Sequence, residues 1–207
     1  VAAAVGRYLS GQAARPSGAV GRLMGRNWVR ETAAVNDTAI ELLRLVPGER
    51  ICEIGFGPGR TLERLAAGGA EVVGVDVSPT MVDTASRRNA KSIAAGHMRL
   101  HQGDGITLPV ADDGLHAVIA VHTIYFWPEP ITTLADISRA LRSGGLLVLA
   151  FRAGEHPLPA RFDSSVYNVP TTAEATAWLH TAGFCDIRVD HRPDIAPTIV
   201  WVSAATP

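Results

Sequence analysis

Glu53, Asp76 and Asp104 each stand at the end of a strand-like run, and Gly55, Gly57 and Gly59 follow the first of them at alternate positions. Glycines spaced this way let a backbone come close to a ligand. A carboxylate at the end of a buried strand, such as Glu53, needs a hydrogen-bonding or charged partner. Asp76 lies 21 residues beyond Gly55, where a carboxylate can accept hydrogen bonds from both hydroxyls of a ribose. A carboxylate in Gly103-Asp104-Gly105 can receive the amino group of an adenine. A further run, His122 to Trp127, offers an imidazole, the phenol of Tyr125 and the ring faces of Phe126 and Trp127. An imidazole of ordinary pKa, about 6.5, suits proton abstraction near neutrality, so His122 is the first candidate base and Tyr125 the second. Ring faces exclude water, align a flat molecule and favour a cation. Each feature also has a plainer use: Asp76 as a helix cap, Asp104 as a turn residue, Phe126 and Trp127 as packing.

The glycine spacing narrows the ligand. No lysine and hydroxyl follow in the register of a triphosphate-binding loop. In a dinucleotide turn the third glycine would fall at Arg60, whereas here it is Gly59. Asp76 repels a 2′-phosphate, which makes NADP the poorest candidate, and NAD leaves Glu53 without a purpose. A ligand carrying an ammonium beside an adenosine would satisfy Glu53, and S-adenosylmethionine is such a ligand.

The elements that must bring these residues together alternate. Helical spacing over about 27–46 ends at Pro47-Gly48; strand 50–55, helix 60–67 and strand 71–77 follow. Ser78-Pro79 opens another helix, with proline where its missing N–H costs nothing. Strands are expected at 98–104, 116–123 and 146–151, with a helix at 131–141. Near-continuous apolar strands alternating with helices predict a doubly wound α/β fold with a mostly parallel sheet covered on both faces. After a helix at 172–183, strands 185–192 and 198–204 are joined by too short a link for a parallel crossover. That pair must be antiparallel, so the sheet has seven strands and the last runs against the rest.

The 207 residues suit one core, and an apolar fraction of 47% with 19% charged residues is that of a globular protein. A net charge of −1 provides no general attraction to nucleic acid or anionic membrane. No apolar run reaches the roughly 20 residues of a membrane span. Residues 1–30 hold five arginines and no acidic residue, but arginine outnumbers lysine 18 to 1 over the chain. They are expected to be an extension, loosely ordered or helical and partly a lid, with 31–207 as the domain proper. Lacking an apolar leader pattern, the stretch argues against secretion. Cys52 and Cys185 have no metal or redox spacing and read as buried thiols of a reducing, cytoplasmic protein. No metal-ligand spacing is present.

The successive segments EIGFGPG, VVGVDVS, QGDGITLPVADDGLHAVIAVHTIYFWPEP and ALRSGGLLVLAFR resemble the motifs of class I S-adenosylmethionine-dependent methyltransferases, over roughly residues 36–204. The resemblance implies a Rossmann-like methyltransferase fold and transfer of a methyl group to a small molecule, leaving S-adenosylhomocysteine. It implies that Glu53, Gly55, Gly57 and Gly59 surround the methionine part and that Asp76 holds the ribose. Val77 and Met81 would line the adenine, Gly103, Asp104 and Gly105 would meet its edge, and Val121 and His122 would flank the methionine. Thr123 to Trp127 would face the acceptor. Two segments, 21–36 and the Pro-containing connector 152–170, are expected to cover the site, with His156, Arg161, Phe162 and Tyr167 as acceptor contacts. Neither is large enough to be a substrate domain, which favours a small acceptor. A non-catalytic protein binding the same cofactor, and a disfavoured NAD-dependent oxidoreductase, are the alternatives. The acceptor atom and the oligomeric state stay open.

Overall fold

Ile51, Cys52 and Ile54 are buried on both faces of one short strand, the signature of the middle of a covered parallel sheet. The computed structural model describes residues 2–160 and 162–207. Its elements are α1 (Ala2–Ala14), α2 (Gly18–Glu31), α3 (Ala33–Leu43), β1 (Arg50–Ile54), α4 (Arg60–Ala67), β2 (Glu71–Asp76), α5 (Pro79–Arg88), α6 (Ala90–Ala94) and β3 (Met98–Gln102). There follow β4 (Leu115–Val121), a 3-10 turn (Ile124–Phe126), α7 (Pro130–Ala140), β5 (Leu141–Arg152), α8 (Thr172–Thr181), β6 (Cys185–His191) and β7 (Ile199–Ala205).

The seven strands are ordered β3-β2-β1-β4-β5-β7-β6. β7 pairs antiparallel with both β5 and β6, and every other pairing is parallel. The expected terminal pair is therefore present, forced by the short link between its strands. The chain moves from β1 out to β2 and β3, then crosses to β4 on the other side of β1. Loops leaving β1 and β4 diverge at that switch, and a crevice opens between them at the strand ends.

Alternating residues feed two cores. Leu147, Leu149 and Phe151 of β5 join Leu134, Ile137 and Leu179 from α7 and α8 on one face. Val148 and Ala150 join Val35, Ala39, Leu62 and Leu65 from α3 and α4 on the other. Helix ends follow local chemistry. Ser78 Oγ accepts from the Met81 N–H to cap α5, and Thr171 with Glu174 forms a reciprocal capping box at α8.

One difference from the sequence reading has a physical cause. The single helix expected at 27–46 is interrupted at Thr32, which takes φ −101 and ψ 6 while its side-chain hydroxyl donates back to Trp28 O, and α2 ends there before α3 starts. The extension, expected to be loosely ordered or helical, is helical: it folds as α1 and α2, which line the crevice. The five-residue α6 has too short a period to be read in advance.

Candidate cofactor and acceptor site

The turn after β1 depends on missing side chains. Gly55 adopts φ +71, and a Cβ there would lie 2.2 Å from Thr123 Cγ2, so only glycine lets the β1 and β4 loops close together. Gly57 adopts φ +52, and a Cβ there would meet nothing within 4 Å, because the residue lines the open cavity. The Gly57 N–H donates to Asp76 Oδ2 and the Ser78 N–H to Asp76 Oδ1, both at 2.8 Å. Asp76 thus ties the glycine turn to the start of α5. Burial pushes its carboxyl up to about 6, against the pull of these two N–H donors.

Glu53 is 3% exposed, and its Oε2 has no hydrogen-bond partner. Burial, and then the nearby Asp76 charge, hold its carboxyl well above the ordinary carboxylate range. Among the described residues no cation of the chain pairs with it. Arg60, which also lines the cavity, is committed elsewhere, with bonds of 2.7 and 3.0 Å to Asp37, and Arg64 makes one of 3.0 Å to the same carboxylate. A buried acid with an orphaned oxygen on the cavity wall fits a cationic ligand group. Together with the volume left by Gly57, it fits S-adenosylmethionine, whose ammonium is such a group.

At the end of β4, His122 takes the left-handed conformation, φ +58, while its N–H still donates to Ala150 O at 2.8 Å. Its Nδ1 lies 3.1 Å from the Tyr125 hydroxyl, which in turn accepts a short hydrogen bond from the Arg152 N–H. Burial first, then the Arg152 charge, lowers the imidazole to about 4, and burial pushes the Tyr125 phenol above its usual range. Tyr167 packs against Phe126 and Phe162, with ring centroids 4.9 Å apart in each case, and against Tyr125 at 5.6 Å. Trp127 is 3% exposed and belongs to the core, yet its Nε1–H, like the Thr123 hydroxyl, has no partner.

One cavity of about 950 Å³ joins these groups. Glu53, Gly55, Gly57, Asp76, Val77, Gly103, Asp104, Val121 and His122 line it on the cofactor side. Tyr125, Phe126, Trp127, Phe162 and Tyr167 line it as well. Asp104 is exposed, and its Oδ1 accepts from the Ile106 N–H at 3.0 Å, which leaves the other oxygen for a ligand. Four expected residues do not line it. Gly59 packs on α5, where a Cβ would meet Ala85; Gly105 is buried against Ile54; Met81 is fully buried beneath α2 near Gly25. His156 is exposed and outside the cavity. Arg161 lies outside the described residues.

The remaining wall was not foreseen residue by residue. Leu9, Ala13, Met24 and Trp28 of α1 and α2 and Leu158 of the connector close the cavity, and Arg152 brings a cation to it. The Asp163 N–H donates to Ser10 Oγ at 2.8 Å and Arg7 pairs with Asp163 at 3.2 Å, so α1 and the connector hold each other. Arg152 ends an apolar strand, which is a readable signal. The helix residues become wall only through tertiary packing. No cluster of three His, Cys, Asp or Glu suited to a metal occurs among the described residues. Among those residues no helix is long and apolar enough to cross a membrane.

Residues 52–149 match the family model described as a methyltransferase domain. The O-methyltransferase cnsE of Penicillium expansum is 30% identical over 75% of this chain, and the chain spans 60% of that protein's length. The uncharacterized methyltransferase YdaC of Bacillus subtilis is 28% identical over 78% of this chain and 86% of its own. Among solved structures, a SAM-dependent methyltransferase from Aquifex aeolicus has a TM-score of 0.68 at 19% identity, covering 83% of this chain and 89% of that one.

Proposed function

We propose, from the premise that the chain belongs to the class I S-adenosylmethionine-dependent methyltransferases, that it methylates a small-molecule acceptor by in-line displacement. The observation that carries this reading is the continuity of one cavity. Its cofactor side, with Glu53, Gly57 and Asp76, opens into a chamber walled by Trp28, Phe126, Phe162 and Tyr167. A volume of about 950 Å³ is at the upper end of the roughly 300–1,000 Å³ typical of pockets for one drug-sized ligand, so a cofactor and a small acceptor fit together.

S-adenosylmethionine supplies an electrophilic methyl group on a cationic sulfonium. In this reading Glu53 receives the ammonium of the cofactor, Asp76 the ribose hydroxyls and Asp104 the edge of the adenine beside Val77. Val121 and His122 flank the methionine part. The aromatic wall excludes water and orients the acceptor, and α1, α2 and the 152–170 connector act as the lid. Alignment and desolvation then account for most of the rate. A chamber walled by these aromatic rings, and a net charge of −1, favour a small organic acceptor over a nucleic acid. The Penicillium relative's name, an O-methyltransferase, agrees with oxygen as one acceptor atom.

The test is a transfer assay with isotopically labelled S-adenosylmethionine across phenols, quinols, amines and thiols. Label in at least one class supports the reading. Tight S-adenosylhomocysteine binding with no transfer to any class would favour a non-catalytic binding protein instead.

A further inference from the structure

The hydrogen-bond chain at the end of β4 has a direction. The Arg152 N–H is a donor and nothing else, so the Tyr125 oxygen it meets acts as an acceptor. Tyr125 is 5% exposed, and its own O–H must be donated somewhere; the acceptor the structure provides is His122 Nδ1, at 3.1 Å. A neutral imidazole carries one proton, so with Nδ1 accepting, that proton sits on Nε2. His122 lines the cavity, and Nε2 is the ring nitrogen left for a ligand.

We infer that His122 is a hydrogen-bond donor locked by Tyr125, and that its Nε2–H recognises an oxygen anion of the bound ligand. The sequence-based expectation of a general base is thereby reversed: an Nε2 that already bears a proton cannot accept one. Tyr125 is a positioning residue that acts through His122. The oxygen belongs to one of two sources, a phenolate- or enolate-type oxygen of the acceptor or the carboxylate of the cofactor. The ring faces of Phe126 and Tyr167 nearby favour a flat acceptor that reaches the site already ionised, its proton lost to solvent. The identity of the ligand rests on the proposed methyl transfer, whereas the state of the ring does not.

The test is a long-range proton–nitrogen NMR correlation on full-length protein labelled in its seven histidines, with His122 assigned through His122→Gln. At neutral pH, His122 is expected to show an unprotonated Nδ1 and a protonated Nε2, and Tyr125→Phe is expected to convert this to an exchange average of both tautomers. An Nδ1–H tautomer or an imidazolium in the wild-type protein overturns the inference, however Tyr125→Phe behaves. Ligand arms locate the oxygen. A shift of the Nε2 signal with 4-nitrophenolate, added over S-adenosylhomocysteine, identifies the acceptor. A shift with S-adenosylhomocysteine that 5′-methylthioadenosine does not reproduce identifies the carboxylate. No shift with any of them overturns oxygen recognition. Failure of S-adenosylhomocysteine to bind would instead refute the proposed function and leave the wild-type tautomer as a separate result.

Discussion

Glu53→Gln separates the cost of a buried acid from its use. The substitution keeps shape and one carbonyl acceptor but removes the charge from a side chain that is 3% exposed and has an orphaned oxygen. In the ligand-free protein that charge is a burden. Because the folded carboxyl lies well above the unfolded value, the native state holds the proton more tightly. Its contribution is therefore complete below the unfolded pKa of about 4.3 and is lost as pH rises through the folded pKa. Glu53→Gln should match the wild type in melting temperature near about pH 4 and exceed it near about pH 8. Binding should change the other way. A hydrogen bond to a charged group contributes about 1.5–3 kcal/mol, so affinity for S-adenosylhomocysteine should fall roughly 10- to 150-fold. Calorimetry in buffers of different ionisation enthalpy adds a signature: below the folded pKa of Glu53, wild-type binding ionises it and releases a proton, and the variant releases none. Equal affinity in both proteins, or a lower melting temperature for the variant at the higher pH, would refute the assignment.

Other consequences are simpler to state. Gly55→Ala combines a left-handed backbone with a Cβ 2.2 Å from Thr123 Cγ2, and should cost roughly 2–5 kcal/mol in urea denaturation; a loss below about 1 kcal/mol would mean the turn yields easily. Because His122 is lowered to about 4, kcat/KM should show no histidine inflection between about pH 5 and 8. An inflection near about 6.5 that vanishes in His122→Gln would contradict this. Ser10→Ala removes the acceptor of the Asp163 N–H, and should destabilise by about 1 kcal/mol and speed proteolytic cleavage of the 152–170 connector. Unchanged cleavage would show that α1 does not hold it.

What could be read in advance follows from which forces are local. β1, β2 and β4 are continuous apolar runs flanked by turns, and the short link between β6 and β7 permits only antiparallel pairing, so sheet and crevice were visible in residue order. Glu53 and Asp76 stood out because a carboxylate at a buried strand end demands an explanation, and Asp104 because it follows β3 at the same edge of the sheet. Spacing could not say which side of a turn faces the cavity. Gly59 and Gly105 share the motifs of Gly55 and Gly57 but spend their missing side chains on Ala85 and Ile54. Met81 is near the site in sequence and under α2 in space. The contacts that join Arg152, Tyr125 and His122 exist only because β5 lies beside β4, so a histidine read alone in the sequence carries no sign of them. The break at Thr32 goes with a non-helical ψ of 6 and a hydroxyl turned back to Trp28 O, which no periodicity reveals.

The central claim is that the crevice at the β1–β4 switch takes an adenosine ligand with an ammonium and no phosphate. Calorimetric titration of the full chain with S-adenosylhomocysteine and, separately, with NAD tests it most directly. The account predicts one saturable site for S-adenosylhomocysteine and none for NAD. Absence of S-adenosylhomocysteine binding, or saturable binding of NAD to the same cavity, would contradict it.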